Sequence, residues 1–401
     1  MILALVLALA LVACGNKNTD DGKKDNPDDN KTPTVITNPD KVQDEMTSSD
    51  GKYEVAFVTD VGQLKDKSFN QGTYDGVKLY AANNGLSYKY YQPANGSEAT
   101  DDDRFTAMKA AVDNGAKVVV CAGYLQEAAL RTAAKQFTDV SFVFIDGYPV
   151  GEEADVKDSP ALKNIAGVAF KEEQCGYLAG YAVVKEGYTK LGFTGGGGGN
   201  NPACCRYGYG FVQGADAAAV EMGIADQVVM EYAYGNQFYG DSDITAYMDN
   251  WYQTLGVEVV FASGGGIYTS AAEAAAKVGG KLIGVDVDQS ANIDTYGEGM
   301  CVTSAMKGLA ETVKHMLGEV VAGNFANYGG QVETLGLVNG DDPTANYVQL
   351  PMETTQWGDG FTQDDYKALV KAMYDGDVTV SNDISAMPAT TITVNFAGNI
   401  K

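Results

Sequence analysis

Histidine occurs once in this chain of 401 residues, as His315, so a reaction that needs an imidazole acid or base has one residue to draw on. His315 falls in an apparently helical stretch, 308–323, and a histidine on a helix surface needs no catalytic reason to be there. Cysteine is sparse as well. Cys14, Cys121, Cys175, Cys204, Cys205 and Cys301 form no CxxC pair and show no regular spacing, which argues against a disulfide framework and a structural zinc site. The neighbours Cys204 and Cys205 would bridge only with strain, and only Arg206 stands near them to lower a thiol pKa, so no function is assigned to the pair. No Gly-Lys-Ser/Thr follows the glycine run at 195–199, which excludes a phosphate loop and leaves a flexible βα loop or hinge-side lid. Basic residues are outnumbered, 28 against 53 acidic ones, for a formal net charge of −25. Such a field repels phosphate backbones and excludes nucleic acid as a partner. With 10 prolines, 48 glycines and 45% hydrophobic residues, the rest is the composition of a globular protein rich in tight turns. At about 150 residues per domain, the length suffices for two or three domains.

What is present begins with an address. Residues 1–13, MILALVLALALVA, make an apolar run too short to cross a bilayer of about 30 Å but suited to a secretory signal. The run ends in Leu11-Val12-Ala13-Cys14-Gly15, which resembles the lipobox of bacterial lipoproteins. That resemblance implies removal of residues 1–13, a lipid on Cys14, and a place on the extracytoplasmic face of the cell membrane. Residues 14–50 are rich in Asn, Asp, Lys, Pro and Thr and have almost nothing to bury, so they read as a flexible tether.

From Tyr53 onward, short β-branched and aromatic runs alternate with longer Ala-rich amphipathic stretches, the pattern of βα units around parallel sheets. The reading predicts strands at 53–59, 86–91, 117–121, 140–145, 165–170, 190–194, 227–232, 257–262 and 281–285. Helices are predicted at 68–83, 100–114, 125–137, 172–185, 209–222, 244–255 and 270–278. Nine such strands are too many for one compact sheet, and a break near Asp158-Ser159-Pro160 divides them, so the class is α/β with two doubly wound lobes. Several carboxylates and glycines stand where a strand has just ended: Asp60, Asp146, the turn Ser263-Gly264-Gly265-Gly266, and Asp286. Ligands of open α/β sheets bind beyond the carboxyl ends of the strands, so these positions converge on one crevice. A single Asp there serves equally well as a helix cap or turn former; the repetition makes it a binding pattern.

The segment Val58-Thr59-Asp60-Val61-Gly62, followed by Asp66-Lys67-Ser68-Phe69-Asn70-Gln71-Gly72, resembles the opening motif of the basic membrane protein family, the nucleoside-binding lipoproteins of bacterial ABC importers. Further stretches agree in order: Ala169-Phe170-Lys171-Glu172-Glu173 with Gly176, Leu178, Ala179 and Gly180; the run 208–214; Ser263 to Gly266; Ile283-Gly284-Val285-Asp286 with Asp288-Gln289; and Ser304-Ala305-Met306-Lys307. The likeness covers residues 53–322 and is loose beyond 328. It implies a type I periplasmic-binding-protein fold with three crossover strands and a ligand cleft between lobes. Lobe 1 is expected over 51–165 and 288–322, and lobe 2 over 166–287 and 323–401. It implies a purine nucleoside in the cleft and an ABC-transporter permease as partner, with no cofactor and no metal.

The chemistry of that ligand suits the matched residues. A purine offers flat faces and hydrogen-bonding edges, which suit Phe69 and Phe170, with Asn70, Asp60 and Asp146 for the edges and Ser68 in the same motif. A ribose diol suits the Asp286 carboxylate, the Lys307 ammonium and the backbone amides of Gly264 and Gly265. Since no Lys/Arg cluster stands near these positions in the sequence, a neutral nucleoside is favoured over its phosphate ester. A sugar- or polyol-binding importer subunit and a ligand-sensing receptor component would share this fold and address. An enzyme is disfavoured, for want of a usable histidine, a metal cluster or an activated nucleophile.

Overall fold

The computed structural model describes residues 35–61, 63–154 and 156–400. The signal and lipobox reading, with Cys14, lies outside them. Ile36–Lys401 form one compact unit. Its first elements are β1 (Val55–Val58), α1 (Phe69–Asn84), β2 (Tyr88–Tyr91), α2 (Asp101–Asp113), β3 (Val118–Ala122), α3 (Glu127–Gln136), β4 (Ser141–Ile145) and β5 (Ile165–Phe170). Next come α4 (Glu172–Lys185), β6 (Lys190–Gly195), α5 (Pro202–Met222), β7 (Val229–Tyr234), α6 (Ser242–Asp249), β8 (Val259–Ser263), α7 (Tyr268–Ala276) and β9 (Lys281–Asp286). The chain closes with α8 (Ser290–Ile293), β10 (Cys301–Lys307), α9 (Leu309–Val321), β11 (Val332–Leu335), β12 (Val348–Gln349), α10 (Gln363–Asp375) and β13 (Thr393–Asn399). Strands such as β1 and β3 are apolar and buried throughout, as strands covered by helices on both faces must be.

Six parallel strands form one sheet in the order β11-β5-β4-β3-β1-β2. A second sheet runs β12-β10-β9-β8-β6-β7-β13, parallel except where β12 meets β10. Both are doubly wound. Helices α1 and α9 pack together beside the first sheet, whose other face is covered by α2 and α3. On the second sheet α4 pairs with α5, and α6 with α7. Each sheet reverses its strand order beside its first strand, at β2-β1-β3 and at β7-β6-β8. At such a switch point neighbouring loops turn to opposite faces and open a crevice at the carboxyl ends of the strands. The chain passes between the sheets three times: after β5, between β10 and α9, and between β11 and β12.

The pairing places three pieces differently from the expected lobe boundaries. β5 lies wholly in the first sheet beside β4, five residues past the expected split, and β11 joins that sheet too. β10 belongs to the second sheet, paired with β9, although 288–322 was expected in lobe 1; only its follower α9 returns there. Sequence proximity to Pro160 does not decide pairing; register with a parallel neighbour does.

The tether reading to Asp50 also changes. From Ile36 the segment lies on α1 and β2, and Asn83 exchanges two hydrogen bonds of 2.8 Å with the Ile36 backbone. Tyr74 and Tyr88 donate to the carbonyls of Asp44 and Gln43 at 2.6 and 2.7 Å, and Val42 is buried. A few specific partners on the fold hold a segment that its average composition would leave free. The glycine run at 195–199 is likewise not a free lid: Gly196 N donates to Ser263 O and Gly198 N to Gly235 O, at 2.8 and 2.7 Å. A Cβ on Gly196 would meet the Phe238 ring at 2.5 Å, so that glycine permits a close approach. His315 is exposed on α9, 3.3 Å from the Tyr328 hydroxyl. Among the described residues, no helix is long and apolar enough to cross a membrane.

Candidate functional site

A cavity of about 690 Å³ opens where the two switch points face each other. From the first sheet it receives Asp60, which follows β1, and Asp146, which follows β4; from the second it receives Ser263 at the end of β8 with Gly264 and Gly265 after it, Asp286 at the end of β9, and Lys307 at the end of β10. Phe69 and Asn70 enter from the first turn of α1. That turn is fixed by Asp66, whose carboxylate accepts from the backbone N–H groups of Ser68, Asn70 and Gln71 at 2.9, 2.9 and 3.1 Å. Asp146 and Asp286 hold left-handed backbones, φ 57° and 66°, and Gly265 has φ 54°. Asp tolerates this region better than most side chains, and such strain is kept where the surroundings overdetermine it.

The inner wall is charged and buried. The Lys307 ammonium lies 2.7 Å from Asp146, 3.3 Å from Glu172 and 3.6 Å from Asp286, with the rings of Phe69, Phe170 and Tyr207 at 4.9, 5.4 and 5.6 Å. Burial pulls the Lys307 pKa down, but the carboxylates outweigh it and leave the ammonium firmer than an ordinary lysine. Glu172 also accepts from Arg206 Nε at 2.6 Å, and Arg206 Nη1 donates to the Tyr148 hydroxyl at 3.1 Å. Burial pushes the carboxyls of Asp60 and Asp146 up to about 6, against the pull of Arg104 on the first and Lys307 on the second. Asp286 is raised for the same reason, opposed by Lys307 and by the Ser68 hydroxyl. Two buried acceptors in the cavity wall, Asn70 Oδ1 and Asp146 Oδ1, have no partner among the described residues, and neither has the Ser263 hydroxyl. Orphaned polar atoms of this kind ask for a ligand or ordered water.

Of the ten positions singled out in the sequence, Asp60, Phe69, Asn70, Asp146, Gly264, Gly265, Asp286 and Lys307 line the cavity. Ser68 and Phe170 do not. The Ser68 hydroxyl is committed to Asp286 Oδ2 at 2.6 Å, and the Phe170 ring is buried in the core at the back of Lys307, so it offers no face to the cavity. Phe238 and Tyr239 from the connection between β7 and α6, and Tyr268 from the start of α7, bring aromatic surface instead. The expectation that no Lys/Arg cluster stands near the site also fails, since Lys65 and Lys67 line it together with the expected Lys307. Lys307 is matched by three carboxylates and Lys65 by Asp44, and Asp60, Asp66, Asp146 and Asp286 share the same wall. Sequence reading passed over Glu172 and Arg206, although Glu172 stands inside one of the quoted motifs. It passed over Phe238 too, which lies in an irregular connection where no periodicity marks it. Cys204 lines the cavity, but burial pushes its thiol up to about 12, so it supplies no thiolate. Among the described residues, no group of three His, Cys, Asp or Glu side chains could hold a metal ion.

Comparison with known proteins bears on the family and the fold. The family model described as Bmp, ABC transporter substrate-binding protein PnrA-like, matches residues 53–341. The ABC transporter nucleoside-binding protein BmpA of Lactococcus lactis subsp. cremoris is 27% identical over 305 residues, covering 72% of this chain and 80% of its own. Basic membrane protein B of Borreliella burgdorferi is 27% identical over 306 residues, covering 74% of this chain and 81% of its own. Among solved structures, an ABC transporter solute-binding protein from Conexibacter woesei shares the fold with a TM-score of 0.61 at 22% identity, over 82% of this chain and 99% of that one.

Proposed function

Because the chain belongs to the PnrA-like family of ABC transporter substrate-binding proteins, we propose that its ligand is a purine nucleoside, captured in the cavity between the sheets and delivered to a permease. In this reading the protein works on the extracytoplasmic face of the cell membrane, held there by a lipid on Cys14. The observation that carries the ligand class is the pairing of aromatic surface with orphaned acceptors in one cavity. Phe69 from α1 and Phe238 from the connection between β7 and α6 offer faces for a flat base, and Asn70 Oδ1 with the Asp60 carboxylate offers acceptors for its edge N–H groups. Asp146 Oδ1, Asp286 and Lys307 offer a carboxylate-rich pocket for a sugar diol. Lys307 meets three carboxylates, which supports a neutral ligand: the ammonium is already committed to them, and a phosphate there would face the carboxylates of Asp60, Asp146 and Asp286. The nucleoside-binding name of the Lactococcus lactis relative supports the same class.

A thermal-shift panel tests this. At about 100 times its dissociation constant, a ligand that binds only the folded state adds about 2.7 kcal/mol. Guanosine, inosine or adenosine should raise the melting temperature; ribose, free phosphate and nucleoside monophosphates should not. A panel in which sugars stabilise and nucleosides do not assigns the cavity to a polyol.

A further inference from the structure

We propose that residues 36–46 form a strap that positions the cavity loop made of Val61 and residues 63–67, with Asp44 as its positioning residue, so that this segment is part of the ligand-binding unit. The loop has two sides. Facing the cavity it presents Val61, Gln63, Lys65, Asp66 and Lys67, between Asp60 and the α1 turn that carries Phe69 and Asn70. Its outer side meets the strap. Asp44 pairs with Lys65 of the loop and, at 3.1 Å, with Lys78 of α1. Lys78 is buried, also pairs with Asp75 at 3.1 Å, and donates to the Pro39 carbonyl at 3.3 Å. Tyr74 of α1 donates to the Asp44 carbonyl, and Val42 and Leu64 are buried in the same apolar cluster as Tyr74. A second cavity of about 270 Å³ lies among strap, loop and helix, lined by Val42, Asp44, Leu64, Lys65, Lys67 and Tyr74 among others, so the outer side of the loop is only partly packed.

The consequence follows from linkage. On its inner side the loop is tied down by the Asp66 cap of α1 and by the Gln289 amide, which donates to the Lys67 carbonyl at 2.9 Å. On its outer side Asp44 is the charged tie. A loop that must be ordered to bind a ligand lowers affinity by the fraction of time it is misplaced, and a contact that orders it beforehand restores that affinity. The strap therefore raises affinity without touching the ligand.

This inference rests on the reading of the main cavity as the ligand site, and the test separates the two. Hydrogen exchange of the full-length, unliganded protein is compared among wild type, Asp44→Ala, Asp44→Glu and Tyr74→Phe, and each is then titrated with guanosine. Asp44→Ala should speed exchange of the amides of Val61 and residues 63–67 about ten-fold while leaving β6 and β8 unchanged, and Asp44→Glu should restore most of the protection. Guanosine should bind Asp44→Ala about five-fold or more weakly, with Tyr74→Phe between the two. Unchanged loop exchange in Asp44→Ala overturns the strap whatever the ligand. Faster loop exchange with unchanged guanosine affinity overturns it as a positioning element. Faster loop exchange in a protein whose wild type takes no guanosine leaves the strap standing and removes the nucleoside reading.

Discussion

Asp286 ends β9 with φ 66°, a conformation that Asn adopts as readily as Asp, so Asp286→Asn changes charge without changing backbone. Around it three carboxylates, Asp146, Glu172 and Asp286, face two cations, Lys307 and Arg206. Removing one negative charge leaves that buried cluster balanced, so the unliganded protein should keep its melting temperature. A ligand diol, however, loses a charged acceptor. That loss is worth about 1.5–3 kcal/mol, and calorimetric titration should find nucleoside binding about 10- to 150-fold weaker. If Asp286→Asn instead unfolds the unliganded protein and the folded remainder binds normally, Asp286 is a structural cap and nothing more. The raised carboxyls make a second residue-scale prediction. Asp60, Asp66 and Asp146 sit at about 6 in the folded protein, above their ordinary value of 3.8, because burial penalises the charged form. The folded state thus holds protons that the unfolded chain has released between about pH 4 and 6. Their contribution to stability is full below that window and lost as pH rises through about 6. The melting temperature of the unliganded protein should therefore rise as pH is lowered from about 7.5 to about 5. Nucleoside affinity should fall over the same range, because the proposed ligand donates to the ionised Asp60. Opposite slopes are the signature to look for; affinity that holds steady down to about pH 5 removes Asp60 from the base edge.

At the scale of elements, α4 and α5 decide where Glu172 and Arg206 meet, since each residue stands near the start of its helix. The two helices touch through glycines spaced four apart. A Cβ on Gly176 or Gly180 would lie 2.1 or 2.2 Å from the carbonyl of Tyr207 or Phe211, and one on Gly210 or Gly214 would lie 2.1 or 2.0 Å from that of Glu173 or Tyr177. No flexible side chain can yield there, because the obstacle is backbone. Gly180→Ala should therefore cost at least about 1–3 kcal/mol in urea unfolding with an unchanged m-value, as overpacked sites do. A neutral result would mean the helices separate easily and do not set the ion cluster. These glycines were visible in the sequence as motif residues, yet their spacing alone does not say which helix they meet. Strands were legible where both faces are buried and the run is continuously apolar, as at β1 and β3. β10 was not recognised as a strand, because Thr303, Ser304 and Lys307 break its apolar run although all three are buried. β13 was missed at the opposite extreme, as a largely exposed edge strand. In the site, strand-end carboxylates were legible because topology alone brings them together. Which aromatic faces the cavity was not, because that depends on side-chain direction: Phe170 points into the core, and Phe238 enters from a loop.

For the whole molecule, two doubly wound sheets bring their switch points to one cavity, and the chain crosses between them three times. A net charge of −25 surrounds that cavity with a field unfavourable to anions, and the carboxylates inside extend the same preference to its wall. The ligand that suits this cavity is neutral, flat and rich in hydroxyls. Native mass spectrometry of freshly purified full-length protein reads this most directly, because a ligand held between two lobes tends to survive purification and leave its own mass. The prediction is a 1:1 adduct with the mass of a purine nucleoside, displaced by added guanosine and absent from Asp286→Asn. A hexose- or polyol-sized adduct that added guanosine does not displace would contradict the account at its centre.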